Sequence, residues 1–135
     1  RELLAFRKRH PSLRRTRFLT GQADRSGCKD VAWFHPSGVE MTDASWADPN
    51  ATTIGMLLCG PAVRDLRNDG AIEQDTSLLI VFAGRRPEPF LLPDAPDGAS
   101  WRVAFATDRK ERGELLVPGS ILDVDVDGVV ALEAV

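Results

Sequence analysis

The chain has 135 residues, 43% apolar and 27% charged, and its net charge is -3. That length and balance describe one folded domain with a core of its own, not a disordered segment. The slightly acidic total argues against a general nucleic-acid binder, and no apolar run approaches the ~20 residues that span a bilayer.

The first element is a helix. Leu3, Phe6 and His10 fall on one face at i, i+3, i+7, with Leu4 beside them. Pro11 disfavours helical geometry at His10 and ends it. No Ser, Thr, Asp or Asn caps the start, so the helix reads as the remainder of a longer one, separated from a preceding piece. Arg1, Arg7, Lys8 and Arg9 precede no long apolar run, and no signal peptide is visible.

After Pro11 the pattern turns to β. Strands are predicted at Arg17–Leu19, at Val31–Phe34 and at Val39–Met41, the last two joined by the turn His35-Pro36-Ser37-Gly38. Thr42 caps one helical turn to Trp46, Asp48-Pro49-Asn50 makes a turn, and Thr53–Cys59 is a strand. Residues 62–74 read as a polar loop. The continuous apolar run Thr76–Ala83 predicts a central strand buried on both faces. Phe90–Leu92 follows, then Trp101–Thr107, with Trp101, Val103 and Phe105 alternating onto one face. Residues 108–114 read as a charged loop. Leu115–Val117, Ile121–Val126 and Val129–Val135 complete the series, the last two as a hairpin turning at Asp127-Gly128. Short strands at regular spacing, with no room for crossover helices, predict an antiparallel β-sandwich with Greek-key connections, preceded by one helix segment.

Candidate chemistry is sparse. Cys28 and Cys59 stand 31 residues apart without metal-ligand spacing, which suggests reduced thiols in a cytosolic protein. Glu40, Asp43 and Asp48 cluster in a polar segment with nothing to raise one carboxyl as a glycosidase requires. Asp123, Asp125 and Asp127 imitate the start of a calcium loop, but the twelfth position is Ala134, not Glu. His10 and His35 read as local structural residues, and the basic run about Arg7–Arg17 as a solvated face. No catalytic group, metal site or cofactor is assigned. Among the aromatics, Trp33 and Trp101 alternate within strands and are expected in the core. Trp46, with polar neighbours, is the candidate for an interface or a sugar ring.

Three stretches carry a family resemblance. Leu3–Arg15 looks like a last barrel helix and its exit, and Leu78–Pro93 like a core strand, turn and F-x-L-P strand. Between them, Trp33-Phe34-His35-Pro36-Ser37-Gly38-Val39-Glu40-Met41-Thr42 through Trp46 resembles the W-[FL]-x-P-x-G-x-E-M-T-x-x-x-W pattern of bacterial glycogen debranching enzymes, the isoamylase-type branch of the α-amylase superfamily. Relatives often carry Asn-Ala-His-His-Glu-Pro after the core strand, where this chain has Phe82-Ala83-Gly84-Arg85-Arg86-Pro87.

The resemblance implies a non-catalytic C-terminal domain of an α-1,6-glucosidase acting on glycogen in the cytoplasm. Residues 1–15 would be the remnant of the last barrel helix and 16–135 the β-sandwich. Its partner would be the catalytic (β/α)8 barrel of the same parent chain, and glycogen or another α-glucan would be met through that parent, with no nucleic acid or membrane involved. Leu3, Phe6 and Trp46 are the expected barrel-facing residues. The alternative is a free-standing α-glucan-binding module.

Overall fold

The computed structural model describes residues 1–15, 18–23, 27–60, 75–96, 100–107 and 112–135. Helix α1 (Glu2–Arg9) leads through His10 into a single 3-10 turn at Pro11–Leu13. Strands β1 (Val31–Phe34), β2 (Ile54–Leu58) and β3 (Leu78–Phe82) follow, with the one-turn helix α2 (Asp43–Ala47) between the first two. Then come β4 (Glu88–Leu91), β5 (Trp101–Ala106), β6 (Leu115–Leu116), β7 (Ile121–Val124) and β8 (Val129–Ala134).

Six strands form one antiparallel sheet in the order β1-β2-β3-β8-β5-β6, and β4 pairs with β7 in a separate two-stranded ribbon. The ribbon lies on the inner face of the sheet. Phe90, Leu92, Leu122 and Val124 pack there with Leu79, Val81, Trp101, Val103, Val130 and Leu132. The result is a β-sandwich of unequal layers. The chain crosses from sheet to ribbon and back twice, and β8 enters between β3 and β5, the interleaving of a Greek key.

The apolar run of β3 is explained by its position. Leu79 and Val81 face the ribbon, while Leu78 and Ile80 face outward beneath α1. Both faces are covered, so alternation disappears. Two glycines mark close approaches. A Cβ on Gly55 would lie 2.5 Å from the Phe90 ring, and one on Gly60 would lie 2.2 Å from the Asp75 carbonyl oxygen.

Several expectations are corrected. Cys28 and Cys59 are joined in a disulfide with Cα atoms 6.2 Å apart, because the chain between them, a separation of 31 in sequence, returns to the same end of β2. Ile121–Val126 and Val129–Val135 do not form a hairpin. The turn at Asp125–Gly128, where the Gly128 N–H donates to the Asp125 carbonyl at 3.0 Å, carries the chain from the ribbon into the sheet. Val126 is exposed. A bulge in β5 shifts the register between Val103↔Leu132 and Phe105↔Ala131, which turns Phe105 to the face opposite Trp101 and Val103. Phe18 and Leu19 are not in a strand, and Arg17 lies outside the described residues. Val39–Met41 makes one bridge, Phe34↔Glu40, not a strand. The predicted loop at 62–74 and most of that at 108–114 also lie outside the described residues.

Candidate docking face

The outer face of the six-stranded sheet is built in rows by the strand register. Val31, Leu58, Leu78, Glu133 and Arg102 form the first row, and Trp33, Met56, Ile80, Ala131 and Phe105 the second. Ile54, Phe82 and Val129 form a third. Helix α1 covers the first row. Phe6 is 3% exposed there, its ring stacked at 6.4 Å on Phe105 and tilted against His10 at 4.6 Å. Beyond that row cover is uneven: Ile80 and Ala131 are buried. Trp33, Met56 and Phe105 are only half-buried, and Phe82 is 37% exposed. An apolar sheet face with half-covered aromatics is a surface that single domains rarely leave open.

A buried charge cluster fixes α1 to this face. His10 is 4% exposed. Its Nδ1 lies 2.9 Å from Asp75 Oδ1 and its Nε2 3.0 Å from Glu133 Oε1. Asp75 also accepts the Ser12 backbone N–H at 3.0 Å and its partner Thr76's at 2.8 Å. Glu133 accepts from Arg102 at 2.8 Å, and Arg9 stands 3.8 Å away. Burial pushes the Asp75 carboxyl up, but the hydrogen bonds from His10 and Ser12 outweigh it and hold the group below the usual carboxylate range. Glu133 is set the same way: burial raises it, and Arg102 and His10 together lower it further. These carboxylates are committed to hydrogen bonds inside the fold. The cluster ties the exit of α1 to β8, so α1 and the sandwich form one unit.

Trp46 stands at the other side of the face. Thr42 accepts the Ser45 N–H while Ser45 Oγ accepts the Thr42 N–H, a capping box that fixes α2. Trp46 is 55% exposed and meets Trp33 edge-on at 5.9 Å and 72°. Trp33 is therefore half-buried rather than core. It lies on the edge strand β1, on the outer face and away from α1. Trp101 is fully buried, and its Nε1–H donates to the Pro93 carbonyl at 2.8 Å.

Of the three residues expected to face a barrel, Leu3 and Trp46 are exposed, and Phe6 is enclosed by this chain's own sheet. No described contact joins Leu3 to Trp46. The apolar stripe of α1 serves the sandwich through Phe6, and the second and third rows of the sheet, which sequence reasoning missed, supply the open surface. A period-2 pattern gives the face on which Trp33, Met56 and Phe105 lie, but not whether another element covers that face.

The other singled-out residues have local partners. His35 Nδ1 and Ser37 Oγ are 2.8 Å apart within their turn, Asp48 Oδ1 accepts the Asn50 N–H at 2.9 Å, and Glu40 pairs with Lys29. Asp123 lies on β7 opposite Pro89, and Asp125 and Asp127 belong to the crossing turn. Among the described residues, no group of three or more His, Cys, Asp or Glu is arranged to hold a metal ion, and no helix is long and apolar enough to cross a membrane.

No family model matches the chain. It is 32% identical over 112 residues to proteins from Mycobacterium bovis and Mycobacterium tuberculosis named Glycogen operon protein GlgX homolog, a match covering 80% of this chain and 15% of theirs. It is 28% identical over 121 residues to the Isoamylase of Pseudomonas amyloderamosa, covering 87% of this chain and 14% of that protein. The chain thus spans about one-seventh of the length of these curated relatives.

Proposed function

This chain is a relative of the isoamylase-type glycogen enzymes, matching one short stretch of them, and on that premise we propose that it is their non-catalytic C-terminal accessory domain. In this reading the parent protein hydrolyses α-1,6 branch points of glycogen in the cytoplasm. The sandwich stabilises the catalytic barrel of the same chain by packing its open sheet face, with Leu3 and Trp46 at the margins, against it. Domain interfaces of this kind bury on the order of 600–1,500 Å². The observation that carries the proposal is the incomplete cover of the outer sheet face, where Leu78 under α1 is 0% exposed but Phe82 is 37% exposed. The side chains of Asp75 and Glu133, the two carboxylates bonded to His10, are buried and hydrogen-bonded, which favours an accessory role over a catalytic one. In the reducing cytoplasm the Cys28–Cys59 pair would stand as two adjacent thiols.

The test is association in trans. The barrel segment of the parent, purified alone, is mixed with this chain and followed by sedimentation. A one-to-one complex, abolished by Phe82→Glu, is expected. A barrel that stays folded and active alone and ignores the sandwich overturns the reading.

A further inference from the structure

We infer that the groove beside Trp46 is a contact site for α-glucan chains. The inference rests on the reading of the parent as a glycogen enzyme, and the groove adjoins the docking face, with which it shares Trp33 and Trp46. The groove has a volume of about 370 Å³ and is lined by Leu19, Thr20, Gly21, Trp33, Glu40 and Trp46 among others, within the range of small-ligand sites.

Four features converge there. First, the Trp46 indole is 55% exposed yet braced: α2 is capped, and its ring meets that of Trp33 at 72°. A glucose ring offers an apolar C–H face to such a platform. Second, neither Trp33 nor Trp46 gives its indole N–H to an acceptor among the described residues, whereas Trp101 does. Third, Glu40 and Lys29 pair with each other at the rim. Their charges cancel, which suits a neutral ligand. The pair still leaves a carboxylate oxygen and ammonium hydrogens for hydroxyl groups. Fourth, the opposite wall is held in place. Asp30 accepts the backbone N–H groups of Thr20 at 2.8 Å and Gly21 at 2.7 Å. A wall fixed before binding loses little freedom on binding. Together these describe a site for a neutral, hydroxyl-rich ring. The names of the relatives, a glycogen operon protein and an isoamylase, select the α-linked glucose polymer.

The experiment titrates this chain with maltoheptaose, and with cellohexaose as a β-linked control, following tryptophan fluorescence and retardation in glycogen-containing gels. Saturable binding of maltoheptaose is expected. Trp46→Ala should weaken it by about tenfold or more, and Trp46→Phe by less, with the melting curve of each variant unchanged. Absence of binding, equal binding of cellohexaose, or binding that Trp46→Ala leaves intact overturns the inference. If glucan binding fails while the sandwich still joins the barrel in trans, the accessory reading stands and the groove site alone is rejected.

Discussion

Replacing His10 with Ala tests the charge cluster that welds α1 to the sheet. The change removes hydrogen bonds to two carboxylates whose side chains are only 4% and 9% exposed, Asp75 and Glu133. Asp75 retains the Ser12 and Thr76 amides, and Glu133 retains Arg102. Neither is stripped bare, so the cost should stay below the ~3–5 kcal/mol of an uncompensated buried charge, at about 2–3 kcal/mol for the lost hydrogen bonds to charged groups. Loss of the ring contact with Phe6 adds to it. Urea unfolding at neutral pH gives the number. The pH dependence gives a second, independent readout. Both carboxyls lie below their usual range in the folded state, so the folded form binds fewer protons than the unfolded one through that range. Their contribution is therefore present above about pH 4, where unfolded carboxyls titrate, and is lost as the pH falls through that value and below. The gap between wild type and His10→Ala should shrink on acidification from about pH 6 to about pH 3. A loss under about 1 kcal/mol, or a gap that stays constant with pH, would refute the role given to the cluster.

Two further outcomes are expected. Trp101→Ala should cost about 3–5 kcal/mol in a denaturant melt because the side chain is fully enclosed, while Trp33→Ala, half-exposed on an edge strand, should cost clearly less; the reverse order would contradict the assigned faces. Replacing both Cys28 and Cys59 with Ala should lower stability by roughly 3.7 kcal/mol in the chain-entropy picture for a separation of 31 residues, as measured against the oxidised protein; an unchanged melt under oxidising conditions would show that the pair does not close.

The residues legible from sequence were those whose partners are close by or whose pattern is strong. Thr42 announces α2 because capping is a local bond to Ser45. The run at β3 announces a central strand because only two-sided burial tolerates it. What escaped depends on distant geometry. His10 reads as a helix-ending residue, yet its partners lie 65 and 123 positions away. Alternation in β5 predicts one face for Trp101, Val103 and Phe105, and a single bulged residue moves the last of them across the sheet. The turn at Asp125–Gly128 has the same composition whether it returns a strand to its neighbour or passes it to another layer. The Cys28–Cys59 spacing carries no distance at all. For the site, the sequence singled out Trp46, but it could not show that Trp33 braces it or that Phe6 is spent on the chain's own core.

The place of β8 between β3 and β5 sets the order of assembly. Until it is synthesised, the sheet exists as two separated pieces, each ending in an apolar strand with an unsatisfied edge. The pairing Leu78↔Glu133 spans more than fifty residues of intervening chain, a topology in which loop closure precedes reward and folding is slow. A nascent or truncated chain lacking these few residues would expose β3, the most apolar strand in the molecule, along an open hydrogen-bonding edge. The interval between the emergence of β3 and that of β8 from the ribosome is therefore when aggregation threatens, and it is the period in which a chaperone would have most to hold.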